Sequence, residues 1–213
     1  MKGKEMKRII RLTVCALLIV AMMLCSVGCQ GEDYNGSATL SDDATHVVTF
    51  EIENYGKVEI ELYGELAPIT VDNFVKLVKD GHYNNSCFHR IIDGFVAQGG
   101  DVDGSVDGMS TGNFEEIFGE FESNGFENPV KHERGTISMA RSGNPNSAST
   151  QFFIVLETSY NNSYSLDGNY AAFGKVVSGM GIIDLMSSGW NSNMLPASQR
   201  PVISKAIVQT VKK

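Results

Sequence analysis

The residues best suited to chemistry stand together in the stretch Cys87-Phe88-His89-Arg90-Ile91-Ile92-Asp93-Gly94-Phe95-Val96-Ala97-Gln98-Gly99-Gly100-Asp101. Two short apolar runs flank Asp93-Gly94, a dipeptide suited to the tight turn of a β-hairpin because glycine tolerates positive φ. Each run carries one polar side chain that a strand does not need, Arg90 and Gln98. On adjacent antiparallel strands these two can project from one sheet face, with Phe95 beside them. A guanidinium, a primary amide and an aromatic ring together make a site for a peptide, not for a metal or a nucleotide. A surface arginine and a core phenylalanine fit the same spacing, so the pattern alone leaves both readings open.

Other constellations are weaker. His46, His82, His89 and His132 show no metal-ligand spacing, and His89 reads as a buried hydrogen-bonding residue. Asp101-x-Asp103-Gly104 with Asp107 faintly resembles a calcium loop, but no glutamate follows at the bidentate position. There is no nucleophile elbow and no phosphate-cradling loop. No metal and no cofactor is expected.

The elements that position the hairpin are legible in the periodicity. Val48, Phe50 and Ile52 alternate with polar residues, and after Asn54-Tyr55-Gly56 so do Val58, Ile60 and Leu62, which predicts a hairpin with one buried face. Pro68 opens a helix with apolar positions Val71, Phe74, Val75 and Val78, and Gly81 ends it. Short β-rich runs follow at 87–92, 95–98, 136–140, 152–156 and 171–177. Met180 to Ser187 reads as a second helix, and a last strand lies near 202–211. Many short strands with two helices imply a sheet closed on itself, since closure removes exposed edges. The Gly/Asn/Ser-rich stretches 102–113 and 119–130 read as loops flanking a groove.

The N-terminus has another task. Lys2, Lys4, Lys7, Arg8 and Arg11 precede an apolar run from Leu12 to Leu24, too short to span a bilayer comfortably and suited to a signal peptide. Ser26-Val27-Gly28-Cys29 resembles a bacterial lipobox, with Ser26 departing from the usual Leu. The expectation is a lipoprotein signal over 1–28, a lipidated Cys29, a flexible tether over 29–45 and a folded domain over 46–213 that lies outside the cytoplasm. Loss of residues 1–28 removes five cations and one anion, taking the net charge from −8 to −12. So acidic a domain has no electrostatic footprint for nucleic acid. It would also be repelled by anionic lipid, so the lipid chain is what would hold it at the membrane. Cys87, then the one remaining thiol, reads as a small buried hydrophobe. Nothing in the pattern asks for a partner copy, and a monomer is expected.

The 87–101 stretch resembles the signature of the cyclophilin-type peptidyl-prolyl isomerases, F-H-R-I-I-P-G-F-M-x-Q-G-G-D. Two further blocks follow in the same order: Ile137-Ser138-Met139-Ala140 with Ser149-Thr150-Gln151-Phe152-Phe153-Ile154, and Leu166-Asp167-Gly168-Asn169-Tyr170-Ala171-Ala172-Phe173-Gly174-Lys175-Val176. The similarity runs from about Val47 to Val211. It implies a mainly β fold, a closed eight-stranded antiparallel barrel capped by two helices, with the ligand groove on its outside. It also implies a peptidyl-prolyl isomerase acting on proline-containing segments of unfolded or exported proteins; the alternative is a holding chaperone with the same groove and little turnover.

The resemblance assigns the catalytic role to Arg90 and the wall of a proline pocket to Phe95, Val96, Phe153 and Leu166. Gln98 would bond the substrate backbone, Ala140 and Arg141 would offer backbone groups to the residue before proline, and Gln151 would line a neighbouring pocket. Tyr170 takes the place of the histidine of many eukaryotic members. Asp93 replaces Pro, Val96 a common Met and Arg141 an Asn. Ser165 falls where a tryptophan important for cyclosporin contact stands, after an insertion around 160–164, which implies weak cyclosporin binding.

Overall fold

Val48, Phe50 and Ile52 do turn one way. In the computed structural model, which describes residues 34–101 and 114–212, they lie on the inner face of β1 (His46–Ile52). β2 (Gly56–Leu62) runs antiparallel to it, with Phe50 opposite Val58 and Ile52 opposite Gly56. The other strands are β3 (Ser86–Ile92), β4 (Val96–Asp101), β5 (Thr136–Met139), β6 (Phe152–Val155), β7 (Ala172–Ser178), β8 (Asn191–Ser192) and β9 (Val202–Thr210). Their hydrogen-bonded order is β4-β6-β5-β7-β2-β1-β9-β3, and β3 pairs back to β4. Eight antiparallel strands therefore close into a barrel, and the two-residue β8 is added to the flank of β3.

Helix α1 (Pro68–Lys79) buries Val71, Phe74, Val75 and Val78 on one stripe. The Phe74 ring lies 4.9 to 6.3 Å, centroid to centroid, from Phe50, Tyr83, Phe152 and Phe173, so α1 plugs the interior with aromatic contacts. Its own sequence supplies no capping side chain. Instead the buried Glu120 carboxylate accepts the backbone N–H groups of Ile69 (3.0 Å) and Thr70 (2.8 Å) from 50 residues away, a negative group where the helix dipole favours one. Gly81 follows the helix at positive φ, as its place beyond the last turn requires.

β6 shows how the wall is used on both sides. Successive side chains of a strand point to opposite faces, and all four residues of β6 are buried. Phe152 and Ile154 belong to the interior cluster, whereas Phe153 and Val155 belong to a second, smaller one with Val96 and Leu166. That second cluster lies on the outer wall, under Phe95, Ala140 and Tyr170.

Several expectations are corrected. There are three helices among the described residues: besides α1 and α3 (Met180–Ser187), the insertion forms α2 (Tyr160–Leu166). Residues 34–45, read as part of a tether, lie against the barrel. The Tyr34 N–H bonds the Thr210 carbonyl (2.9 Å), the Ser41 N–H bonds Glu61 (2.8 Å), and Ala44 is buried. Cys87 is only half-buried, and burial raises its pKa, which lowers its thiolate fraction. Cys29, the signal region and the 102–113 loop, with Asp103 and Asp107, lie outside the described residues.

Candidate active site

The β3–β4 hairpin places the first two functional groups. Arg90 stands directly opposite Gln98, and Phe153 of β6 is opposite Gln98 in turn. The connection is one residue longer than a two-residue turn, Asp93-Gly94-Phe95, with Gly94 at φ 65° and the Phe95 N–H bonded to the Ile92 carbonyl. The side-chain amide of the buried Asn162 on α2 donates to the Gly94 carbonyl (2.9 Å) and the Glu157 carbonyl (2.8 Å), tying the insertion to this turn.

Arg90 reaches the outer face through an irregularity. Phe88 and Ile91 both point into the barrel, a spacing of three that a regular strand cannot meet. Phe88 pairs with Gly99 and Arg90 with Gln98, so His89 is an extra residue in a β-bulge. A compensating bulge on β4 falls at Gly100, whose φ is 84° and where a Cβ would stand 2.6 Å from the Thr150 carbonyl oxygen. Only glycine fits there.

The guanidinium is held on two sides. Arg90 Nε donates to Asn193 Oδ1 (3.1 Å) and Nη1 to Gln98 Oε1 (3.3 Å), while Gln98 Nε2 donates to Gln151 Oε1 (2.9 Å). Among the described residues the remaining Arg90 donors have no partner. Burial lowers its pKa, yet a guanidinium starts so high, above about 12, that it stays cationic at any physiological pH.

Together with Arg90, the residues Phe95, Val96, Gln98, Ala140, Arg141, Phe153, Leu166 and Tyr170 line a pocket of about 240 Å³. This is smaller than the ~300–1,000 Å³ clefts that enclose whole small-molecule ligands, yet larger than the ~150 Å³ cavity that takes a benzene ring, so a proline ring fits with room to spare. Phe153 meets Tyr170 edge to face at 5.6 Å. A second pocket of about 510 Å³ adjoins the first, shares Arg90, Gln98, Ala140 and Arg141 with it, and includes Gln151.

A match to the family model of cyclophilin type peptidyl-prolyl cis-trans isomerases spans residues 47–211. The chain belongs to this family. A probable peptidyl-prolyl cis-trans isomerase of Brucella suis is 37% identical over 176 residues, covering 78% of this chain and 84% of that one. A peptidyl-prolyl cis-trans isomerase of Acinetobacter baylyi is 40% identical over 136 residues, 63% of this chain and 69% of the relative. Among solved structures, a cyclophilin type isomerase of Cryptosporidium parvum, crystallised in the presence of the dipeptide Ala-Pro, superposes with a TM-score of 0.63 at 27% identity, covering 76% of this chain and 98% of its own. Cyclophilin AquaCyp293 from Hirschia baltica gives 0.61 at 26%, covering 80% and 75%. The protein is thus a cyclophilin, an enzyme of the peptidyl-prolyl isomerase class.

Within this cyclophilin the structure brings together all ten groove residues expected from the sequence, Arg90 through Tyr170. Two differ in detail. The Ala140 N–H is already donated to the Gln151 carbonyl (2.9 Å), which leaves its carbonyl for a ligand. Arg141 engages through its side chain: the guanidinium carbon sits 4.6 Å from the Tyr170 ring centroid and 5.2 Å from that of Phe121. Ser165 is exposed on α2, its hydroxyl bonded to the Asn162 carbonyl (3.0 Å).

Two further residues belong to the site: Asn193, not singled out by sequence, and His132, weighed there only as a metal ligand. Asn193 carries no local signal, being a loop asparagine just beyond β8. His132 stacks behind Phe153 (6.0 Å, 19°), with Nδ1 2.9 Å from Asp167 and Nε2 3.0 Å from the Ser138 hydroxyl. Burial lowers its pKa against the opposing pull of Asp167. It braces the pocket wall.

Proposed function

We propose that the Arg90 guanidinium accelerates rotation about X–Pro bonds by donating to the prolyl nitrogen of a proline seated in the 240 Å³ pocket. The observation that carries this is a cation with unused donors in the lining of the pocket whose wall includes Phe95, Val96, Phe153 and Leu166. Rotation must cross about 18–20 kcal/mol and takes tens to hundreds of seconds unassisted. A catalyst turning over near 10² to 10³ per second must remove roughly 6 kcal/mol. Twisting the amide ends its resonance, so the nitrogen becomes pyramidal and basic. A donor fixed there stabilises the twisted state and not the planar one. Gln98, itself oriented by Gln151, supplies backbone hydrogen bonds to the part of the substrate that does not turn. The Ala-Pro dipeptide used with the Cryptosporidium relative supports a proline ligand here.

The signal-like N-terminus and the lipobox-like Cys29 support a wider reading: a monomer anchored by lipid outside the cytoplasm, acting on proline-containing segments of exported chains. NMR exchange spectroscopy of an Ala-Pro peptide with the full-length chain tests the chemistry. Arg90→Ala should slow catalysed exchange by about 10²–10³-fold. Peptide binding without accelerated exchange by the native protein would make it a holding chaperone instead. Ser165 and the α2 insertion also support weak cyclosporin binding; submicromolar inhibition in a titration would refute that.

A further inference from the structure

Arg141 is the point where this groove departs furthest from a generic peptide cleft. It lines both pockets, at their junction. Its guanidinium lies against the Tyr170 and Phe121 rings, Nε donates to the Asn169 carbonyl (3.0 Å), and Nη1 donates to the Ser142 carbonyl (2.9 Å). Nη2 has no hydrogen-bond partner among the described residues. A long cationic side chain has thus already lost most of its rotamer freedom before any ligand arrives, in the lining of both pockets and with Nη2 still unpaired among the described residues. That is the preorganisation that makes an arginine selective.

The charges around it favour an anion. Arg90 stands in the same two pockets, and among the described residues that line the second pocket the sole carboxylate is Glu116, which is exposed. His89, also in that lining, is neutral at pH 7 because burial and the neighbouring Arg200 and Arg90 charges pull its pKa to about 4. Among the described residues the second pocket's lining thus carries two guanidinium groups against one carboxylate, in a chain of net charge −8. Beyond roughly 8–10 Å the acidic surroundings are screened at physiological salt, so the near charges decide.

Resting on the isomerase reading above, we propose that this groove prefers substrates with an aspartate or glutamate within two residues of the X–Pro bond, recognised by Arg141. An extended chain advances at most about 3.3–3.6 Å per residue. A side chain one or two residues from the seated proline therefore falls at the junction that Arg141 occupies. The 510 Å³ of the second pocket accommodates a carboxylate with its remaining water.

The test is catalysed exchange by NMR on proline peptides bearing Glu, Gln or Lys at each of the two positions before and after proline, with the full-length chain. At one of these positions the Glu peptide should exceed its Gln counterpart in kcat/KM by about three- to tenfold at low salt, a charge-pair effect that shrinks toward unity near 0.5 M salt. Arg141→Gln should bring the Glu/Gln ratio to about one, whatever it does to the rates themselves, and Arg141→Lys should keep part of it. A merely structural arginine would change all peptides alike and leave the ratio intact, which would overturn the proposal. So would equal turnover of Glu and Gln peptides, or a Lys preference, which would assign selection to Glu116. No exchange on any peptide would instead overturn the isomerase reading and this one with it.

Discussion

The barrel interior and the groove on its outer wall are built from alternate residues of the same strands, yet they solve opposite problems. Phe152 and Ile154 face inward, Phe153 and Val155 outward, and all four are buried. The interior is closed by ring against ring around Phe74, and even its phenol is used, the Tyr83 hydroxyl donating to the Thr150 carbonyl (2.8 Å). The groove fixes Arg90, Gln98 and Arg141 by part of their bonding capacity and leaves the rest open. Stability comes from saturating contacts; a binding site comes from saturating only enough of them to hold the others still.

Substitutions can pull the two regions apart. Phe74→Ala should cost about 3–5 kcal/mol of stability by denaturant unfolding, while the molecules still folded retain the native exchange rate per site. If the rate per folded molecule fell as well, the two faces would not be independent. Acid should act next in size. His89 has its pKa lowered to about 4 by burial, against about 6.5 in an unfolded chain. The unfolded state binds the proton first, so stability is full above pH 6.5 and falls as pH drops toward 4, by about 3 kcal/mol. Burial of His132 adds to the same slope. Exchange per folded molecule should stay flat between pH 6 and 9 because Arg90 does not titrate there; a rate profile with a midpoint near neutrality would break that separation. The smallest effect is the sharpest on the groove side. Asn193→Ala removes one acceptor from Arg90 and should slow exchange about fivefold, roughly 1 kcal/mol, with a melting temperature within error of the native one because Asn193 is exposed.

Much of this was legible in the chain. The alternation of Val48, Phe50 and Ile52, the stripe Val71, Phe74, Val75 and Val78, and the opposition of Arg90 and Gln98 all follow from periods of 2 and 3.6. The groove residues beyond the hairpin were legible only through the resemblance, since Phe153 and Leu166 meet Phe95 by closure of the barrel and not by spacing. What stayed hidden is instructive. The bulge at His89 had a signal, the odd spacing of inward Phe88 and Ile91, but nothing local says which residue is extra. Helix α2 lies in a polar segment, Tyr-Asn-Asn-Ser-Tyr-Ser-Leu, without an amphipathic stripe, and is held by tertiary bonds from Asn162. Residues 34–45 look like linker by composition because their bonds are made by backbone groups and by single side chains such as Tyr34. The side-chain role of Arg141 depends on Phe121 and Tyr170, which are 20 and 29 positions away in either direction.

The seam of the barrel has a consequence for how this protein comes to be active during synthesis. β3, which carries Arg90, pairs with β4 but also with β9, the last strand, and its arginine is anchored by Asn193. Contacts across more than a hundred residues form late because the loop they close is long. A chain made in the N-to-C direction therefore holds the hairpin early but cannot fasten it until residues 193–203 have been made. A chain that stops short of residue 193 would carry Arg90, Phe95 and Gln98 without the Asn193 acceptor and the β9 pairing that hold Arg90 in place.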